Sequence, residues 1–290
     1  MNYLFHIIIM INIYIILCVS TNLLVGMANL LSIGQAAFYG IGAYLSVLCL
    51  MILKLPLVPS VLLVVIGTAI ASLLVAYPSL RLKDDYFVLA TLGFQLIVFT
   101  IIYNWVSVTR GPYGIPGIPS PKLLGLFPIT GVIPFLILSS FFSLFVIAVF
   151  FKLIYSPFGR VLKGIRDDEL AVLSLGRNVT GFKIWAFVIS CGFIGIAGFL
   201  YATYVSYIDP TSFNLDEAIF ILAAVLIGGT GNIRGPVVGA VFVVVLPEIL
   251  RFVGFPDSVA ANLRQIVYGL TLIILMYFRP QGLAGEYKLQ

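Results

Sequence analysis

Few residues in this 290-residue chain could do chemistry, and their spacing excludes most reactions. The one histidine, His6, stands at the start of the first apolar stretch. No HExxH, GxSxG or Walker A pattern occurs, so metal-dependent, serine-type and nucleotide hydrolysis all lack their usual residues. Cys18, Cys49 and Cys191 each lie inside an apolar run without metal-ligand spacing, and read as small buried hydrophobes. Charged residues inside a span mark proton relays or ion sites, but the middles of the apolar stretches contain none. Glu248 and Arg251, three residues apart, could pair on one helix face. With Arg264 they read as interfacial anchors. What remains inside is uncharged: Gln35, Tyr44, Thr91, Gln95, Asn104, Ser190, Thr203 and Tyr204. Such groups can simply bond neighbouring helices. They can also line a path that passes a polar solute without holding it tightly, and Gln35, Tyr44, Thr91, Gln95 and Asn104 are the candidates for that path.

The composition says what must hold these side chains. Hydrophobic residues make up 61 % of the chain and charged residues 9 %, against about 25 % charged in soluble domains. Mean hydropathy is +1.16. So few charges cannot cover a soluble surface, and the chain is predicted to be an all-α polytopic membrane protein, a single transmembrane domain over residues 1–290. A spanning helix needs about 20 mostly apolar residues. Candidate spans are 4–24, 33–53, 57–77, 86–105, 131–153, 184–207, 218–229, 236–253 and 263–278, which predicts about 8–10 transmembrane helices. The seventh and ninth are short for a crossing and are expected to be tilted, broken or re-entrant. The first has neither a basic n-region nor a small-residue cleavage site, so it is kept as a helix.

Lys and Arg set the orientation. Residues 152–183 hold Lys152, Arg160, Lys163, Arg166, Arg177 and Lys183, six of the sixteen basic residues, and are placed in the cytoplasm. Counting outward puts Arg81, Lys83, Arg234, Arg279 and Lys288 inside too, eleven against five outside, with an extracytoplasmic N-terminus. Membrane orientation, and not nucleic acid, accounts for the net charge of +5. The long outer connection 106–130 carries five of the fifteen prolines, which favour rigid turns over regular helix.

Small residues are expected to carry the packing. Gly231, Gly235 and Gly239 form a GxxxGxxxG ladder, Ser32, Ala36 and Gly40 a second, and Gly192, Gly195 and Gly198 a third. Gly228, Gly229, Gly231 and Pro236 cluster as a broken helix would require. In the cytoplasmic loop 155–183, Asp167 or Asp168 can cap a short helix with Glu169 in its first turn. Leu170, Ala171, Leu173 and Ser174 would form its apolar face and Gly176 would end it in a left-handed cap. The interleaved acids favour docking on a cytoplasmic protein over lying on lipid. Asn178-Val179-Thr180 matches a glycosylation sequon by chance.

Six segments carry a family resemblance: LSIGQAAFYGIGAY (31–44), DDYFVLATLGF (84–94), RGPYGIPGIP (110–119), GRVLKGIRDDELAVLSLGRNVTGFK (159–183), IGGTGNIRGPVVGA (227–240) and RPQGL (279–283). In order, and over nearly the whole chain, they resemble the permease subunit of branched-chain amino acid ABC importers of the LivM type, in the LivH/LivM permease family. The resemblance implies a prokaryotic plasma-membrane permease that alternates access to leucine, isoleucine and valine. It implies that Arg160, Lys163, Gly164, Arg166, Asp167, Glu169, Ala171 and Gly176 sit on an ATPase subunit. No cofactor is implied in this chain, since ATP and Mg would be held by that ATPase. The implied partners are a second related permease, one or two kinds of ATPase subunit, an extracytoplasmic amino-acid-binding protein, and membrane lipid. Alternatives are a sister permease for urea, short amides or other amino acids, or a stand-alone secondary carrier. An intramembrane enzyme would need a convergent polar constellation, which the sequence lacks.

Overall fold

Unbroken apolar sequence decides the first element. In the computed structural model, which describes residues 2–82, 84–123, 127–252 and, beyond these, 266–267, 269–271, 273, 277 and 282–284, helix α1 (Asn2–Asn22) runs on through a wider π turn, Leu23–Met27. α1 is apolar on all sides and mostly buried, as a helix at the centre of a bundle must be. α2 (Gln35–Val47) also ends in a π turn, Leu48–Ile52. α3 (Leu57–Ser79) and α4 (Asp84–Asn104) follow; then the connection 106–130 contributes one helical turn, α5 (Val106–Thr109), before α6 (Val132–Tyr155). α7 (Pro157–Asp167) and α8 (Glu169–Ser174) lead into the 27-residue α9 (Val179–Val205). α10 (Leu215–Gly228) and α11 (Arg234–Phe252) complete the described helices.

Seven of the described helical stretches are long and apolar enough to cross a membrane. α1, α2 and α9 form the buried centre, whereas α3, α4 and α6 expose apolar faces suited to lipid. The eighth expected span corresponds to α11, and the ninth, 263–278, falls largely outside the described residues.

Glycine lets the central helices touch. A Cβ on Gly42 would come within 2.6 Å of the Gly195 Cα, and Gly198 lies against the backbone of Tyr39 and Ala43. Two of the expected ladders change membership. Ser32 precedes α2, so only Ala36 and Gly40 of its ladder are helical, and Gly231 precedes α11 with φ +94°. In the proline-rich connection 106–130, strand β1 (Ile115–Pro116) pairs antiparallel with β4 (Tyr207–Ile208), and β2 (Lys122–Leu123) with β3 (Phe127–Pro128). Ser206 accepts from the Gly117 and Ile118 amides, fastening this connection over the end of α9. α7, α8, the 229–233 turn and residues 282–284 gather at the opposite end of the bundle.

Candidate functional site

Four of the five residues read as a path share one seam between α2 and α4. At one end the Ile33 amide donates to the Thr91 hydroxyl at 3.2 Å. Gln35, the first residue of α2, is fully buried with neither amide atom hydrogen-bonded. One turn along α4, Gln95 Nε2 donates to the Phe213 carbonyl at 2.8 Å, while its Oε1 has no partner. The Tyr44 hydroxyl is likewise buried and unpaired, and its ring meets Phe213 edge-on at 6.1 Å. An unpaired buried polar atom costs about 1–3 kcal/mol. Among the described residues the seam therefore holds uncommitted hydrogen-bonding capacity inside the bundle. Asn104 does not join it: the residue is exposed near the end of α4, and its amide donates to the Thr100 carbonyl. Ser190, Thr203 and Tyr204 are committed elsewhere, to the Ser20 carbonyl, the Phe199 carbonyl and His6 respectively.

Phe213 closes the seam, and sequence reasoning missed it. Tyr39 and Tyr201 meet its ring at 5.0 and 5.9 Å, and a Cβ on Gly40 would lie 3.0 Å from it. The short 3-10 turn Pro210–Phe213 that delivers it is capped by Asp209. The Asp209 carboxylate accepts from the Ser212 amide at 3.0 Å, the Ser212 hydroxyl at 2.5 Å and the Thr211 hydroxyl at 2.8 Å. Burial pushes this carboxyl up, but those bonds outweigh it and hold Asp209 below its ordinary range.

The expectation that the middles of the spans hold no ionisable group is corrected here. The seventh span runs over Pro210–Gly228, and Glu217 lies within it, half-buried. The Tyr14 hydroxyl donates to Glu217 Oε1 at 2.7 Å. Tyr14 sits about halfway along the span Tyr3–Met27, so the carboxylate reaches the middle depth of the bundle. Asn214 three residues before Glu217 was the available signal: it caps the helix, accepting from the Glu217 amide at 3.1 Å. Glu248 takes the hydroxyl of Tyr3.

At the opposite end, the α10–α11 hairpin turns on glycine. α10 stops at Gly229 (φ +101°), and Gly228, Gly235 and Gly239 press backbone on backbone, with Gly239 against the Ala224 carbonyl. The last carbonyls of α10 accept from the chain's own tail: the Leu283 amide donates to Ile227 and the Ala284 amide to Gly228, both at 2.9 Å. The Asn22 amide donates to the Asn232 carbonyl at 2.8 Å, which ties α1 to the turn. A Cβ on Gly26 would come within 2.7 Å of the Gly231 amide nitrogen.

Residues 155–183 form a two-helix platform. Ser156 caps α7, with Pro157 in its first turn, a helix not anticipated from the sequence. Asp168 caps α8, accepting from the Ala171 amide at 3.0 Å, and Gly176 (φ +74°) follows in the left-handed conformation that favours glycine. Val172 packs back on α7 near Gly164, whereas Leu170, Leu173 and Leu175 stand exposed. Among the residues read as ATPase contacts, Arg160, Asp167, Glu169, Ala171 and Gly176 are exposed and Lys163, Gly164 and Arg166 half-buried. Glu169 pairs within the chain, accepting from Lys183 at 2.7 Å, and Lys163 lies over the Tyr155 ring. Arg166 turns inward and donates to the Gly26 carbonyl at 3.0 Å. Platform, π turn and hairpin are thereby joined in one line of contacts. Among the described residues no three His, Cys, Asp or Glu side chains come together to hold a metal ion.

A multi-pass bundle with a broken-helix hairpin and a solvent-facing platform is the frame of a membrane transport subunit, placed in the inner membrane. The chain belongs to the branched-chain amino acid transport system / permease component family, whose model matches residues 3–276. It is 35% identical over 296 residues to the high-affinity branched-chain amino acid transport system permease protein LivM of Salmonella typhimurium, covering 93% of this chain and 67% of that one. The LivM protein of the archaeon Methanocaldococcus jannaschii is 29% identical over 72% of this chain and 62% of its own length. The ribose import permease protein RbsC of Haemophilus influenzae is 25% identical over 41% of this chain and 37% of its own. No solved structure matches the chain.

Proposed function

We propose that this subunit carries leucine, isoleucine and valine inward as part of an ATP-driven ABC importer. Hydrolysis takes place on separate ATPase subunits that hold ATP and Mg. A second, related permease completes the membrane portion, and an extracytoplasmic amino-acid-binding protein delivers the solute. The seam of Gln35, Tyr44, Thr91 and Gln95, closed by Phe213, is the part of the interior that opens. Its unpaired amide and hydroxyl groups bond a passing zwitterion in turn, and its aromatic walls accept an aliphatic side chain.

The observation that carries this reading is the inward bond of Arg166. An exposed leucine tip on α8 offers a grip to a cytoplasmic partner. Arg166, on the adjoining α7, holds the Gly26 carbonyl and, through Gly26, abuts Gly231 of the hairpin turn. Movement of the platform is thus delivered to the point where α10 breaks. Relatedness to the LivM permeases supports the substrate class. Reconstitution tests it: with the neighbouring ATPases, second permease and binding protein, vesicles should accumulate leucine only when ATP is present. Accumulation by this chain alone, or ATP-independent uptake by the full set, would overturn it.

A further inference from the structure

Glu217 lies inside the seventh span and accepts the Tyr14 hydroxyl from about halfway along the first, and the functional reading above leaves it without a task. Its surroundings are those of a receptor for a cation. The only hydrogen bond to its carboxylate found among the described residues comes from Tyr14, and the two described ion pairs, Arg166–Asp167 and Lys183–Glu169, lie on the platform. The carboxylate therefore keeps acceptor capacity that no basic side chain among the described residues takes up, and the residue is half-buried. Four residues before Glu217, Phe213 is met by the rings of Tyr39 and Tyr201 at 5.0 and 5.9 Å. Aromatic faces are a favourable setting for an ammonium group. One helical face further along α1, seven residues from Tyr14, the Thr21 hydroxyl is fully buried and unpaired, adding an uncommitted polar group on the way to the hairpin.

A charged group held inside a membrane protein is expensive and is retained chiefly where a pathway needs it. We propose that Glu217 is the point at which the permease recognises the α-ammonium group of its amino-acid substrate, its carboxylate oriented by the Tyr14 hydroxyl. The aromatic cage around Phe213 then lies next to the aliphatic side chain of the same substrate. The proposal rests on the transport reading given above and adds to it the residue that selects for an amine. It makes charge the property that matters at position 217.

Two substitutions separate charge from shape. Glu217→Gln keeps the size and still accepts from Tyr14 but carries no charge; Glu217→Asp keeps the charge on a shorter stem. In the full transporter in vesicles, with subunit co-purification as the measure of assembly, leucine uptake should fall about tenfold or more for Gln, the scale of one lost charged hydrogen bond. Asp should stay within about threefold of the parent. A merely structural role gives the reverse order, and Gln transporting as well as the parent, or both variants failing equally while assembled, would refute the assignment. If Glu217→Gln does not assemble, Tyr14→Phe serves: it removes the hydroxyl that orients the carboxylate, so uptake by the assembled transporter should fall about threefold or more, and parental uptake would refute the assignment. Failure of the unmodified complex to take up leucine with ATP would instead sink the transport reading itself.

Discussion

The α10–α11 hairpin and the α7–α8 platform lie at the same end of the bundle, yet one presses glycine against backbone and the other holds leucine out into solvent. At Gly228, Gly235 and Gly239 there is no room for a single methyl group. Leu170 and Leu175 are 77% and 79% exposed and touch little of their own chain. The hairpin can move only as a unit, because close-packed backbone has no slack to absorb a displacement. The platform has no such constraint, so its conformation is free to follow a partner. Arg166, bonded to Gly26, is the tie between a part that is gripped and a part that must respond.

The largest effect should come from filling the hairpin. In Gly235→Ala the new Cβ would overlap the Gly229 carbonyl, a backbone atom that cannot rotate away. Overpacking of this kind costs about 3 kcal/mol or more, and little folded protein should survive extraction. Size-exclusion chromatography of the detergent-solubilised chain checks this. A monodisperse variant with parental thermal stability would show that the hairpin has slack, and the contrast with the platform would dissolve.

The platform should answer in the opposite way. Leu170→Ser with Leu175→Ser removes exposed apolar surface, so stability should change by no more than about 0.5 kcal/mol. ATP-driven leucine uptake by the assembled transporter should nonetheless fall about tenfold, since the grip on the cytoplasmic partner is gone. Melting curves and uptake measured on the same preparation separate the two. Normal uptake with both serines present would move the coupling contact off α8.

The same contrast explains what the sequence could tell. The apolar runs of about 20 residues were legible because lipid demands them of every crossing helix. The α8 helix was legible too, since Asp168 and Gly176 are local signals that act within one turn. Gly231 misled, because a GxxxG spacing reads alike whether its first member lies in the helix or in the turn before it. Glu217 was hidden by a boundary of three residues: placing the span at 218–229 left the acid outside, although Asn214 already marked the helix start. The unpaired state of Gln35 and Tyr44 and the inward turn of Arg166 depend on partners more than 100 residues away or on none at all, and no local pattern encodes them.

The smallest expected effect lies at the outer end, where Asp209 shapes the turn that seats Phe213. Bonds from Ser212 and Thr211 hold its carboxyl below the ordinary range in the folded chain. An unfolded chain takes up that proton first, near the usual aspartate value of about 3.9. Stability from Asp209 is therefore complete at neutral pH and is lost as pH falls through the folded-state value, because the unfolded state then binds more protons. Asp209→Asn cannot titrate and should lack this component. The melting-temperature gap between the two proteins should be small at neutral pH and should close as the solution is acidified below about pH 4. A gap that widens on acidification would mean that the carboxylate is not what the Ser212 and Thr211 donors stabilise, and that Phe213 is held in its aromatic cage by packing alone.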